Sequence, residues 1–352
     1  MLHRRTGFEI ELMAPAGLSR RRLARELADR CGGDIRPVWH SDSEPSLVPG
    51  LGRFLTLTQG FEVRRPGGDL LCTLVDDITL TRGLDERARP GDGWFRVLTD
   101  DSRLLNLIAR HCDPGAALPE VLDAAAKLWD AELHRHGDVV ELADVDGRTI
   151  ALAAPQGAER ERPCEIVTPP LAADHAERLE ELLAPARELG FTVPHEAAVH
   201  LHVDGAPFRQ PHALANVVRL FGHWREPLRA VLQTNPACIR LAPLPEAMVD
   251  ATAGTPTFDE LRVAARESEL DKFFDVNLSQ LFAERPLRDT VEVRILPGAI
   301  TAADIIGRAA VIELLLDRCE DPAPFPTPPA GPALAVEALL EHAAYALAHA
   351  DA

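Results

Sequence analysis

The sequence predicts an α+β fold built on an antiparallel sheet, and three observations predict it. Short segments at residues 7–12, 198–203 and 290–296 alternate apolar with ionisable side chains, the period of two of a half-buried strand. Between them lie segments with the 3.6 period of amphipathic helices, opened by a serine, a proline or a Thr-x-x-Glu box. Breakers such as Pro66-Gly67-Gly68 leave only a few residues between consecutive strand-like runs, as hairpins do.

Each element follows in order. Residues 7–12 form the first strand, and Ser19 then caps a helix with Leu23, Leu27 and Cys31 on one face, ended by Gly32-Gly33. Runs at 54–57, 61–64 and 70–80 read as an antiparallel meander. Over 85–163 the pattern changes to a strand at 94–98, a helix from Ser102 with its N-cap in Asp100-Asp101-Ser102, a second helix over 119–136 and a hairpin around Asp146-Gly147. This stretch reads as an inserted subdomain. The sheet resumes at 164–167, followed by a helix over 174–189 and the strand 198–203. Helices opened by Pro211 and Pro227 come next, then one announced by the capping box Thr257 and Glu260, the strand 290–296 and a helix over 302–318. Six prolines make 321–332 an extended linker, and residues 333–352 form an amphipathic helix that docks back or meets a partner. The domain reading is therefore a catalytic body over 1–320 with 85–163 inserted, a linker and a C-terminal helix.

Composition excludes several functions. A net charge of -18 spread along the chain repels phosphate backbones and anionic lipid, so no nucleic acid or membrane partner is expected. No apolar signal segment precedes the first strand and no stretch approaches the ~20 apolar residues of a membrane span, which predicts a cytoplasmic protein. The six cysteines are scattered without a C-x-x-C pair and read as reduced, mostly buried thiols. A homo-oligomer is left open.

Three strands carry the chemistry. Alternation puts Glu9 and Glu11 on one face of 7–12, with Phe8, Ile10 and Leu12 behind. It puts His200, His202 and Asp204 together on the second strand and Glu292 beside Arg294 on the third. Solvated strand faces usually mix Thr, Ser, Lys and Arg, whereas these fronts offer almost only metal-capable groups. If the strands are neighbours, Glu9, Glu11 and Glu292 bring together carboxylates whose repulsion calls for cations, and an oxygen-rich set with a histidine suits Mg²⁺ or Mn²⁺. With Arg294 alongside to meet developing negative charge, this is equipment for phosphoryl transfer.

The ordered motifs Gly7-Phe8-Glu9-Ile10-Glu11, Val75-Asp76-Asp77, Glu165-Ile166-Val167-Thr168-Pro169-Pro170, Leu189-Gly190-Phe191, His200-Leu201-His202-Val203, Val276-Asn277-Leu278 and Thr290-Val291-Glu292-Val293-Arg294-Ile295 resemble the amidoligase family. That family is a branch of the glutamine synthetase and glutamate-cysteine ligase superfamily of carboxylate-amine ligases. The resemblance covers most of residues 6–310. It implies a curved antiparallel sheet of the glutamine synthetase catalytic-domain type, with helices on its outer face and ATP entering from one end. By position it implies metal ligands at Glu9, Glu11, Asp77, Glu165, His200 and Glu292, with either Asp76 or Asp77 facing inward. Arg294, Glu292 and Glu11 match catalytic positions, His202, Arg240 and Arg294 lie toward the nucleotide, and Asn277 resembles a further substrate or phosphate contact. Ala198 stands where the family commonly has glycine, and the long gap between Asp77 and Glu165 holds the segment that shapes substrate choice.

The implied function is an ATP- and Mg²⁺-dependent ligase, with Mn²⁺ as a possible substitute, joining a small-molecule or peptide carboxylate to an amine through an acyl phosphate. The alternatives are a metal-dependent hydrolase using the His-x-His strand and a small-molecule kinase on the same fold. Other candidates carry weaker signals. His195 and Glu196 read as loop surface, His134 and His136 as the solvated end of a helix, and Trp39, Trp94, Trp129 and Trp224 as core anchors. His40 and His111 carry no spacing signal.

Overall fold

The computed structural model describes residues 2–45, 53–238 and 240–349. In chain order the elements are β1 (Thr6–Met13), α1 (Arg20–Cys31), β2 (Asp34–Pro45), β3 (Arg53–Arg64), β4 (Leu70–Val75), β5 (Phe95–Thr99), α2 (Ser102–His111), α3 (Asp123–Trp129), β6 (Glu132–His136), β7 (Val139–Ala143), β8 (Thr149–Pro155) and β9 (Pro163–Val167). There follow α4 (His175–Glu188), β10 (Ala198–Asp204), α5 (Pro211–His223), α6 (Arg225–Leu232), α7 (Glu246–Asp250), α8 (Phe258–Glu267), β11 (Val276–Asn277), α9 (Ser279–Phe282), β12 (Thr290–Pro297), α10 (Ala302–Glu320) and α11 (Pro332–His349). The fold is thus mixed helix and antiparallel sheet. The chain divides into two compact units, one of residues 1–10, 168–184 and 195–352 and the other of residues 11–167 and 185–194.

In the first unit β11, β12, β10 and the opening half of β1 pair in that order, all antiparallel. Glu9 stands opposite His200, and Glu292 stands between His202 and Asn277 on its two neighbours. Residues directly opposite share a face, so these five side chains project together. Phe8, Ile10, Val199, Leu201, Val203, Val276, Val291, Val293 and Leu296 fill the other face and are buried. At roughly 25 cal/mol per Å² of apolar surface removed from water, that back face fixes the register, because a slip of one residue would bury the charges. The register breaks once: two residues of β12, Arg294 and Ile295, stand opposite the single His200 of β10. Such a bulge twists the strand locally and re-aims its side chains.

Helices α5, α6, α10 and α11 pack on one another in this unit. The capping box at Thr257 and Glu260 is complete, and Pro211 sits in the first turn of α5 as expected. Helix α6 starts at Arg225, two residues before Pro227, which is tolerated because a first-turn amide has no helical acceptor. The proline-rich stretch after α10 has no regular structure, yet it is anchored: Phe325 is buried against Trp224 and His342. Helix α11 docks back through Ala335, Leu339, Ala343 and Ala346, while Leu334, Leu340 and Leu347 stay exposed. Residues 350–352 of the expected C-terminal helix lie outside the described residues.

The second unit orders its strands β9-β4-β3-β5-β8-β7-β6, with β2 along the other edge of β3. Leu57, Phe95, Val97, Val140, Leu142, Ala151 and Ala153 from the sheet meet Leu105 and Ile108 of α2 and Ala125 of α3 in one core. Gly32 ends α1 at φ 65°, and the following Gly33 passes so close to the Arg64 carbonyl that a Cβ would lie 1.8 Å from its oxygen. Asp101 is the N-cap of α2, accepting from the amides of Arg103 and Leu104.

Three expectations need correction here. The runs at 54–57 and 61–64 are one strand, β3, and the run at 70–80 stops at Val75. Strand β2 was not foreseen. The helix expected over 119–136 ends at Trp129, where Asp130 turns into the left-handed region at φ 51°, and His134 and His136 lie on the strand β6. Pairing with β7 outweighs the helical tendency of that stretch. All six cysteines are free thiols, four of them buried. Among the described residues no helix is long and apolar enough to cross a membrane.

Candidate metal centre

The ionisable face of the first unit gathers Glu9, His200 and Glu292, each with a ligand-capable atom within 4.8 Å of the others. Nδ1 of His200 lies 3.2 Å from Oε2 of Glu9 and 3.7 Å from Oε1 of Glu292, so a single nitrogen faces both carboxylates. An ionised carboxylate can only accept, which assigns the proton of the closer contact to Nδ1. His202 approaches the other Glu9 oxygen, its Nε2 at 3.2 Å but outside hydrogen-bond alignment, and its Nδ1 meets Oγ1 of Thr290 at 3.2 Å.

Two arginines complete the group. Arg294 is paired with Oε1 of Glu292 along the strand, and Arg288 is paired with Oε1 of Glu9. Asn277 donates its amide to Oε2 of Glu292 at 2.7 Å, while its own oxygen accepts from the backbone and hydroxyl of Ser279. Burial alone would push the Glu9 carboxyl up, but the hydrogen bond from His200 and the neighbouring imidazoles hold it well below the usual carboxylate range. Burial likewise opposes ionisation of Glu292, and the charge of Arg294, helped by the two histidines, overcomes it. Both carboxyls are therefore ionised in a low-dielectric setting, where a charge needs partners.

Behind this group, Asp275 accepts from Nε of Arg225 at 2.6 Å and from Arg229 at 3.1 Å, while its carbonyl accepts from the Arg294 amide at 3.0 Å. That clamp ties β11 and β12 together beside Asn277. Arg240 lies over the Phe273 ring, 5.2 Å from its centroid. His195 is exposed, in keeping with a loop surface.

The remaining predicted ligands belong to the second unit. Glu11 is buried on the far half of β1, and Glu165 is half-buried on β9 opposite Val75. Asp76 is buried and held by Arg160 and by Gln156 at 3.1 Å. Asp77 accepts through Oδ1 from the amide and the hydroxyl of Thr79, both at 2.8 Å, closing a turn. Trp94 is a core anchor stacked under the guanidinium groups of Arg20 and Arg21.

Sequence reasoning found Glu9, His200, His202, Glu292 and Arg294 and named Asn277, but it missed Arg288 and Thr290. Thr290 could have been found from its position two residues before Glu292 on the same strand face. Arg288 stands in an irregular segment and carries no periodic signal.

The first unit thus gathers two glutamates and a histidine whose ligand-capable atoms lie within 4.8 Å of one another, with each carboxylate met by an arginine. The chain belongs to the family described as putative amidoligase enzyme, whose model matches residues 2–313. No curated protein gives a match.

Proposed function

We propose that the chain is an ATP- and Mg²⁺-dependent ligase that joins a carboxylate to an amine. The observation that carries this reading is the Glu9–His200–Glu292 group beside Arg294, in a chain whose family is an amidoligase family. The donor set fits the ion: two hard carboxylates and one imidazole suit Mg²⁺ or Mn²⁺, whereas zinc sites favour more nitrogen or sulfur. Glu9, His200 and Glu292 would hold it. The ion would supply charge to neutralise the nucleotide phosphates.

In this reading an oxygen of the substrate carboxylate attacks the γ-phosphorus of ATP and the bond to ADP breaks, which gives an acyl phosphate. The amine nitrogen then attacks the acyl carbon, phosphate leaves and the nitrogen loses a proton. Arg294 bears on the transferred phosphoryl oxygens, His202 and Arg240 on the nucleotide, and Asn277 keeps Glu292 oriented. The antiparallel pairing and one-sided charge of the first unit support a sheet of the glutamine synthetase catalytic-domain type. On the same reading residues 1–320 make one catalytic body, 85–163 is an insertion that shapes substrate choice, and the protein works in the cytoplasm on small molecules or peptides.

The test is trapping with hydroxylamine. Supplied at high concentration with ATP, Mg²⁺ and a panel of carboxylates, it should replace the natural amine and yield a hydroxamate, with ADP and phosphate released in equal amounts. A stable phosphorylated product would indicate a kinase, product without ADP a hydrolase, and AMP with pyrophosphate an adenylating enzyme. Each of those outcomes overturns the ligase.

A further inference from the structure

Glu9 is only 13% exposed, yet one of its partners reaches it from solvent. Arg288 sits between α9 and β12 on a segment without regular structure, and its side chain is 53% exposed. The backbone on either side is pinned. The amide of Leu287 donates to Oε1 of Gln280 at 3.0 Å, while the Asp289 carbonyl accepts from Gly205 at 2.9 Å and its carboxylate pairs with Arg209 at 2.7 Å. A fixed backbone thus aims a long, half-solvated side chain at a buried carboxylate.

Charge counting gives this contact a meaning. Two ionised glutamates face two guanidiniums, so the two carboxylate charges are already matched. A divalent cation added there would leave two uncompensated positive charges in a low-dielectric place, which is strongly unfavourable. Either a cation must leave or anions must arrive with the ion. Arg294 lies on β12 and is largely buried, whereas a half-exposed arginine returns to water at little cost.

We propose that Arg288 is the exchangeable counter-cation of Glu9: it neutralises the carboxylate until a divalent ion takes its place, and so holds the site in reserve for ions that arrive with an anionic ligand. The proposal rests on reading Glu9, His200 and Glu292 as an ion site, and it adds a selection step at that site.

The experiment is calorimetric titration of the full chain with Mn²⁺ alone and with Mn²⁺ plus a non-hydrolysable ATP analogue, for wild type, Arg288→Gln, Arg288→Lys and Glu9→Gln. Circular dichroism checks that each variant is folded. Removing one positive charge a few ångströms from the ion should tighten binding of Mn²⁺ alone by about tenfold. It should also narrow the preference for Mn²⁺ with the analogue over Mn²⁺ alone, while Arg288→Lys stays near wild type. Tighter binding in Arg288→Gln supports the exchange even where wild type binds Mn²⁺ too weakly to measure. If Arg288→Gln leaves Mn²⁺ binding within twofold of wild type, or weakens it, while Glu9→Gln abolishes it, the exchange is wrong and the ion site stands. Absence of Mn²⁺ binding in both wild type and Arg288→Gln overturns the ion site and the exchange with it.

Discussion

Replacing Asn277 with aspartate tests the ionised state of Glu292 directly. The Asn277 amide donates to Oε2 of Glu292 at 2.7 Å, and both side chains are buried, so the substitution sets a second carboxyl against the first. At an effective dielectric of about 20, two unit charges ~3 Å apart repel by ~5 kcal/mol. Keeping a proton on a carboxyl whose usual value is ~3.9 costs only ~1.4 kcal/mol per pH unit above that value, or ~4 kcal/mol near pH 7. The introduced group therefore stays protonated and donates to Glu292 in the amide's place. Its folded value is raised, so the penalty is absent below the unfolded value and grows as pH rises toward the folded one. Urea unfolding in EDTA should show this variant losing ~2–3 kcal/mol relative to wild type between about pH 5 and pH 7. Asn277→Ala should cost ~1.5–3 kcal/mol with little pH dependence, because it removes a hydrogen bond to a charged acceptor and adds no titrating group. Parallel pH profiles for wild type and the aspartate variant would refute the pairing of Asn277 with an ionised Glu292.

Other perturbations bear on separate links. Glu292→Gln and Arg294→Ala should keep the far-ultraviolet spectrum while lowering turnover by ~10²-fold or more, and near-wild-type rates in both would make β12 an ordinary strand. The Glu9 carboxyl is held well below its usual value, so its stabilisation is present above that value and lost as pH falls through the folded one. Glu9→Gln should therefore flatten the acid limb of stability, and an acid limb identical to wild type would contradict the assignment. Thr257→Ala breaks a complete capping box and should cost ~1 kcal/mol in urea unfolding; no measurable loss would mean that α8 does not depend on its cap.

The legibility of the site traces to the period of two. Residues 7–12, 198–203 and 290–296 each bury one face against an apolar core, so alternation alone separates Glu9, His200, His202, Glu292 and Arg294 from the residues behind them. Which strands become neighbours is not written in any of them. The register that sets Glu9 against His200, and the bulge opposite His200, emerge only when the strands pair. Strand β2 escaped notice because Pro37 and Pro45 interrupt it and its side chains do not alternate; it lies on one edge of β3, where proline is tolerated. The stretch around Asp123–Trp129 invites extension into a longer helix, and its neighbours 132–136 become a strand only through β7.

Arg288 shows why part of the electrostatic argument needed coordinates. From sequence, Glu9, Glu11 and Glu292 read as like charges that only cations could hold together. In the first unit two of those carboxylates are instead met by arginines, one on β12 beside Glu292 and one on an irregular segment that no pattern marks. Repulsion between Glu9 and Glu292 is thus already offset within the protein, aided by Asn277 and the two histidines. On the proposed reading, a bound ion is a ligand of a finished site and competes with a guanidinium for its place there.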